Sequence, residues 1–141
     1  MTDSQLAVAP MHCLTTPGRL AGWQIRKVLG HIQSNLGRRI TTREMADLAR
    51  LGPSHFARAF RATTGSPPGA YIMRCRVARA KEQLQDSNRA LAEVALNCGF
   101  SDQSHLTRVF RRAVGVNPGE WRRRLLRELS PKDRAPAPQS L

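Results

Sequence analysis

The sequence predicts an all-α protein: seven helices forming two helix-turn-helix lobes joined by a long linker helix. Three observations carry that prediction. Apolar residues recur at i, i+3, i+4, i+7 in segment after segment, as in Leu106, Val109, Phe110, Ala113 and Val114, which is the period of a helix with one inward face. Proline, glycine and capping residues cut that period into short pieces. The pattern also occurs twice. Residues 54–74 read SHFARAFRATTGSPPGAYIMR and residues 104–124 read SHLTRVFRRAVGVNPGEWRRR, and nine of the twenty-one positions are identical at an offset of 50. Tyr71 and Trp121 form an aromatic pair at the same offset. Two copies are too few for a solenoid, so this is a duplicated module.

The elements follow in order. Residues 1–18 mix Pro10, Pro17, Gly18 and small polar residues and read as a loose leader. Leu20, Trp23, Val28, Ile32 and Leu36 space out an amphipathic helix ending near Gly37. Thr41-Thr-Arg-Glu44 resembles a capping box, in which the Thr and Glu side chains each bind the other's backbone N–H. It opens a short helix to Ala49 or Arg50, with Met45, Ala46 and Leu48 inward. After a turn at Leu51-Gly52, Pro53 suits the first position of the next helix, where a missing N–H costs nothing. That helix ends at Gly65, with Phe56, Ala59 and Phe60 on its buried side and Thr63 offering a methyl. A linker helix follows from Pro67 to about Asp86, striped by Met73, Val77, Ala80 and Leu84, and Ser87-Asn88 breaks it. Ala90 to Asn97 is short and turns inward through Val94, Ala95 and Cys98. Asp102 caps the next helix, and Gly115 ends it. Asn117-Pro118 starts a last helix to about Leu129, with Trp121 and Leu125 inward. The expected organisation is a leader over 1–18, a double helix-turn-helix domain over 19–130, and a disordered tail over 131–141. Within that domain, lobe one is about 19–66, the linker about 67–86 and lobe two about 87–129.

The charge names the partner class. Residues 19–130 hold 21 Lys and Arg against 8 Asp and Glu, which accounts for the whole net charge of +13. Of the 23 cations, 20 are Arg, whose planar fork suits bidentate contact with phosphate or guanine. A polyanion is expected. The outward faces agree. On the helix from Asp102, the residues Gln103, Ser104, Thr107, Arg108, Arg111 and Arg112 are polar and none is acidic. On its counterpart Ser54, Ala57, Arg58 and Arg61 face out. Hydroxyls, amides and guanidiniums are the groups that hydrogen-bond to base edges and phosphates. Ser54, Arg58, Gln103, Ser104, Thr107 and Arg108 are therefore assigned to bases, and Arg61, Arg111 and Arg112 to positioning on phosphate.

The run Ala95-x-x-Cys-Gly-Phe-Ser-Asp-Gln-Ser-His-Leu-x-Arg-Val-Phe-Arg-Arg-x-x-Gly-x-x-Pro-x-x-Trp-Arg resembles the signature of the AraC/XylS family of bacterial transcription regulators. Ala46 to Tyr71 resembles that family's other helix-turn-helix. The likeness covers roughly residues 20–128. It implies a two-lobed DNA-binding domain whose recognition helices both enter the major groove on one face of the duplex. Two departures stand out: Ala57 occupies a place where members often carry a longer polar reader, and Leu106 replaces the usual Phe. The resemblance is to stand-alone members, so no small-molecule effector domain is expected in this chain. A linker of 20 residues would span ~30 Å, against ~34 Å between successive major grooves on one side of DNA. One chain, binding as a monomer, is thus expected to cover two turns.

Other classes fit less well. A non-specific DNA-bending or coating protein would share the charge but would not need two mixed hydroxyl and Arg faces. No nucleophile–base pair, phosphate loop or paired carboxylates can be picked out, so no enzyme and no cofactor are expected. His55 and His105 lack neighbours at ligand spacing, and Cys13, Cys75 and Cys98 are odd in number with no Cys-x-x-Cys, so no metal or disulfide framework is expected. Residues 1–18 have no Lys or Arg and no long apolar run, hence no signal peptide. The expectation is a cytoplasmic regulator of transcription, with double-stranded DNA and RNA polymerase as partners and no membrane.

Overall fold

The computed structural model describes residues 18–86 and 88–129. They form seven helices: α1 (Gly22–Ser34), α2 (Thr42–Ala49), α3 (Pro53–Thr64), α4 (Pro68–Leu84), α5 (Leu91–Asn97), α6 (Gln103–Val114) and α7 (Pro118–Leu129). Residues 1–17, which hold all of the expected leader but Gly18 and include Cys13, residues 130–141, which include the expected tail, and the breaker Ser87 lie outside the described residues. Two compact units divide between Met73 and Arg74, inside α4.

Lobe one is built on α1, α2 and α3. Val28, Ile32 and Leu36 meet Met45, Ala46, Ala49, Phe56, Ala59 and Phe60, all buried. The capping box at α2 is formed as the sequence suggests: Glu44 N–H donates to Thr41 Oγ1 at 3.1 Å, and Thr41 N–H donates to Glu44 Oε1 at 2.9 Å. Gln24 fastens α1 at both ends of its side chain. Its Oε1 accepts from Ala21 N–H at 2.7 Å, and its Nε2 donates to the Ala49 carbonyl at 2.8 Å. Thr63 gives more than a methyl. Its hydroxyl accepts from Leu20 N–H at 2.8 Å and donates to the Ala59 carbonyl at 2.8 Å.

Lobe two repeats the plan with α5, α6 and α7 and the second half of α4. Val77, Ala80 and Leu84 line its core with Val94, Ala95, Cys98, Phe100, Leu106 and Phe110. Burial pushes the Cys98 thiol up to about 11, which keeps it protonated and unreactive. Both lobes turn the same corner between their paired helices. Leu51 N–H donates back to Ala46 O and Phe100 N–H to Ala95 O, each at 2.9 Å. The residue before each donor is left-handed: Arg50 at φ 60° and Gly99 at φ 90°. Ala46 and Ala95 stand 49 positions apart but Ser54 and Ser104 stand 50 apart, so the second copy has one extra residue, and it falls after this corner.

Four expectations need correction. Trp23 is 46% exposed, because α1 buries one narrow side and Trp23 lies off it. Ala113 is exposed, with Val109 and Val114 partly so, and the seat of α6 is Leu106 and Phe110. In the first half of α4 Ile72 is buried together with Pro68, and Met73 is only partly buried. The linker helix is 17 residues rather than 20, or ~25 Å. It stops early because Asp86 turns its carboxylate onto Asn88 N–H at 3.0 Å, a side-chain turn that competes with the helix.

Candidate nucleic-acid interface

Each lobe offers one helix outward, and local chemistry sets its ends. For α6 the cap is Asp102, whose Oδ1 accepts from His105 N–H at 2.8 Å. Its stop is Gly115, at φ 100°, a conformation that strains any residue with a Cβ. For α3 the start is Pro53 and the stop is Gly65, at φ 86°. Each helix is then held from behind by a ring pair. Phe60 meets Tyr71 with centroids 5.4 Å apart, and Phe110 meets Trp121 at 5.8 Å.

The six residues assigned in lobe two converge. Gln103, Ser104, Thr107, Arg108, Arg111 and Arg112 line one open depression along α6. Thr107 is partly buried and the other five are exposed. In lobe one Ser54, Arg58 and Arg61 are exposed along α3, and Ala57 sits between them, partly buried.

Four acids are engaged away from α3 and α6. Glu44 holds Arg38 at 2.7 Å and His31 at 2.6 Å. Arg89 lies 3.8 Å from Asp86 and 3.9 Å from Glu93, and Glu120 takes Arg123 and Arg124 at 2.7 and 2.9 Å. Hydrogen bonds from Arg38, Thr41 N–H and His31 hold the Glu44 carboxyl far below the usual carboxylate range. By contrast, α3 and α6 contain no acid. Among the described residues Arg58, Arg61, Arg108, Arg111 and Arg112 form no ion pair. Each outward helix thus carries guanidiniums without ion-pair partners, two on α3 and three on α6, and each is a surface that wants anions.

The two histidines differ. His105 sets its ring edge-on to Phe100 at 5.3 Å, and its Nδ1 accepts from Ser101 N–H at 3.2 Å, so it props up the turn. His55 is exposed. Among the described residues no group of three His, Cys, Asp or Glu could hold a metal ion, and no helix is long and apolar enough to cross a membrane. Arg43 was not among the residues singled out from the sequence. It is exposed in the first turn of α2, the helix that crosses the DNA backbone in a helix-turn-helix. Its position two residues after the cap Thr41 is the available sequence signal.

Known proteins agree with this architecture. A family described as "Helix-turn-helix domain" matches residues 45–124. A putative AraC-like transcription regulator of Streptomyces lividans is 30% identical over 123 residues, 82% of this chain. The chain spans only 40% of that relative, and 31% and 37% of two others. The crystal structure of the DNA-binding domain of AdpA, in complex with a target DNA, is 30% identical, with a TM-score of 0.69 over 77% of this chain and 96% of that one. A probable AraC family regulator from Rhodopseudomonas palustris is 29% identical, with a TM-score of 0.64 over 72% of this chain and 95% of that one.

Proposed function

Since this chain belongs to the AraC/XylS family of transcriptional regulators, we propose that it binds double-stranded DNA at defined sequences and regulates transcription from them. The observation that carries this reading is the convergence of Gln103, Ser104, Thr107, Arg108, Arg111 and Arg112 on one outward surface with no acid among them. Non-specific coating needs only the positive charge. A surface that mixes amide, hydroxyl and guanidinium has the donors and acceptors that tell base pairs apart.

In the proposed complex α6 and α3 lie in successive major grooves on one face of the duplex. Arg108 and Arg58 take guanine O6 and N7, while Gln103, Ser104, Thr107 and Ser54 contact neighbouring edges. Arg111, Arg112 and Arg61 hold phosphates, and Arg43 joins them from α2. The AdpA domain, similar in fold and sequence, was crystallised on its target DNA, which supports this mode. One chain carries both recognition helices, so it binds as a monomer to a site that need not be palindromic. RNA polymerase in the cytoplasm is the proposed further partner.

Selection of binding sites from a random duplex pool tests the proposal. The expected product is one asymmetric motif about two helical turns long, bound by one chain. Enrichment of no motif, with all sequences bound alike, would leave a coating protein instead.

A further inference from the structure

The two recognition helices are held so alike that their differences become informative. Both are 12 residues long and both end on a left-handed glycine. Both are fixed by a buried Phe set edge-on to an aromatic ring of the following helix, at 87° for Phe60–Tyr71 and 70° for Phe110–Trp121. Exposure matches position by position: Ser54 with Ser104, Arg58 with Arg108 and Arg61 with Arg111 are exposed, and Ala57 with Thr107 is partly buried. The middle of the reading face therefore has the same stance in each lobe, with different chemistry. Thr107 brings a methyl and a hydroxyl. Ala57 brings a methyl alone.

In the major groove the edges of A, G and C present only hydrogen-bonding groups, and thymine adds a 5-methyl. A methyl pressed against a polar edge strips its water and returns no hydrogen bond. Pressed against the thymine methyl it removes apolar surface from water. We infer that Ala57 is a specificity-determining residue that selects thymine, by packing its methyl against the thymine 5-methyl beside the base taken by Arg58. The inference rests on the DNA-reading role proposed above and gives lobe one a preference that differs in kind from that of lobe two.

The test uses the full chain and its selected duplex. Each thymine is replaced in turn by uracil, which pairs identically but lacks the methyl. One position in the half-site of lobe one should weaken binding about 4-fold, as expected for about one methyl group's burial. At that position 5-methylcytosine should bind more tightly than cytosine. The variants Ala57→Gly and Ala57→Ser should bind the thymine and uracil duplexes equally. This ratio is taken within one protein preparation, so a partly unfolded variant does not disturb it. Sequence-selective binding with no uracil-sensitive position, or with one that Ala57→Gly leaves unchanged, overturns the thymine assignment and spares the DNA-reading role. Absence of any sequence preference overturns both.

Discussion

The ring of Phe60 stands edge-on to that of Tyr71, with centroids 5.4 Å apart and planes at 87°. This contact, with buried Phe56 and Ala59, seats the inward side of α3. Phe60→Ala empties a fully buried site and should cost ~3–5 kcal/mol of unfolding free energy. Tyr71→Leu keeps apolar bulk and loses the ring geometry, for about 0.5–1.5 kcal/mol. Urea titration measures both, and a Phe60→Ala cost below that of Tyr71→Leu would contradict the packing.

Arg50 takes the left-handed conformation, at φ 60° and ψ 43°, where lobe two places Gly99. A side chain there costs roughly 1–2 kcal/mol, partly offset by the greater chain entropy that glycine would lose. Arg50→Gly should raise stability by about 1 kcal/mol with an unchanged denaturant slope. Arg50→Ala keeps the Cβ and should bring no gain. Equal effects of the two substitutions would show that the conformation is not the cause.

Glu44 links α1 to α2 through His31, and the same carboxylate closes the cap of α2. Its pKa is depressed in the folded state, chiefly by the hydrogen bond from Arg38, then by Thr41 N–H and His31. The stabilisation is therefore complete above the ordinary carboxylate pKa of ~4.3 and drains away as pH falls below it. The melting temperature of Glu44→Gln should be lower at neutral pH and should change less between about pH 5 and 2. Parallel melting curves for the two proteins across that range would rule out a contribution from the charge.

Cations without internal partners should make DNA binding salt-sensitive. If roughly six to ten phosphates are neutralised, raising salt from about 50 to 200 mM weakens binding ~10³–10⁵-fold. Arg111→Ala and Arg112→Ala should each weaken all sequences alike and lower the salt slope by ~1. Arg108→Ala should instead cost ~1–3 kcal/mol on the selected site and relax the preference at one or two base pairs. If Arg108→Ala lost cognate and random DNA equally, that residue would belong with the phosphate contacts.

What was legible in the sequence was local. Caps, prolines and glycines sit within a few residues of the ends they define, so Thr42–Ala49, Pro53–Thr64 and Gln103–Val114 could be placed from Thr41, Pro53, Gly65, Asp102 and Gly115. The six residues gathered along α6 were legible for the same reason, since one helix face is a matter of spacing. Long-range pairings were not. His31 and Glu44 are thirteen residues apart, and Leu20 and Thr63 are forty-three apart, beyond the reach of any helical period. Trp23 and Ala113 failed because a period gives the direction of a face but not how far the neighbouring helix extends to cover it. The strain at Arg50 left no trace in composition.

Thr63 belongs to the last turn of α3, and its hydroxyl is bonded to Leu20 N–H ahead of α1. A segment leading into Leu20 is thus hitched to the rear of the recognition helix, next to the Ala59 carbonyl that the same hydroxyl engages. Thr63 stands five residues beyond Arg58, on a different side of α3. A domain fused at this end would hold a lever on α3, and its leverage would depend on a single hydroxyl that Thr→Val removes while preserving shape.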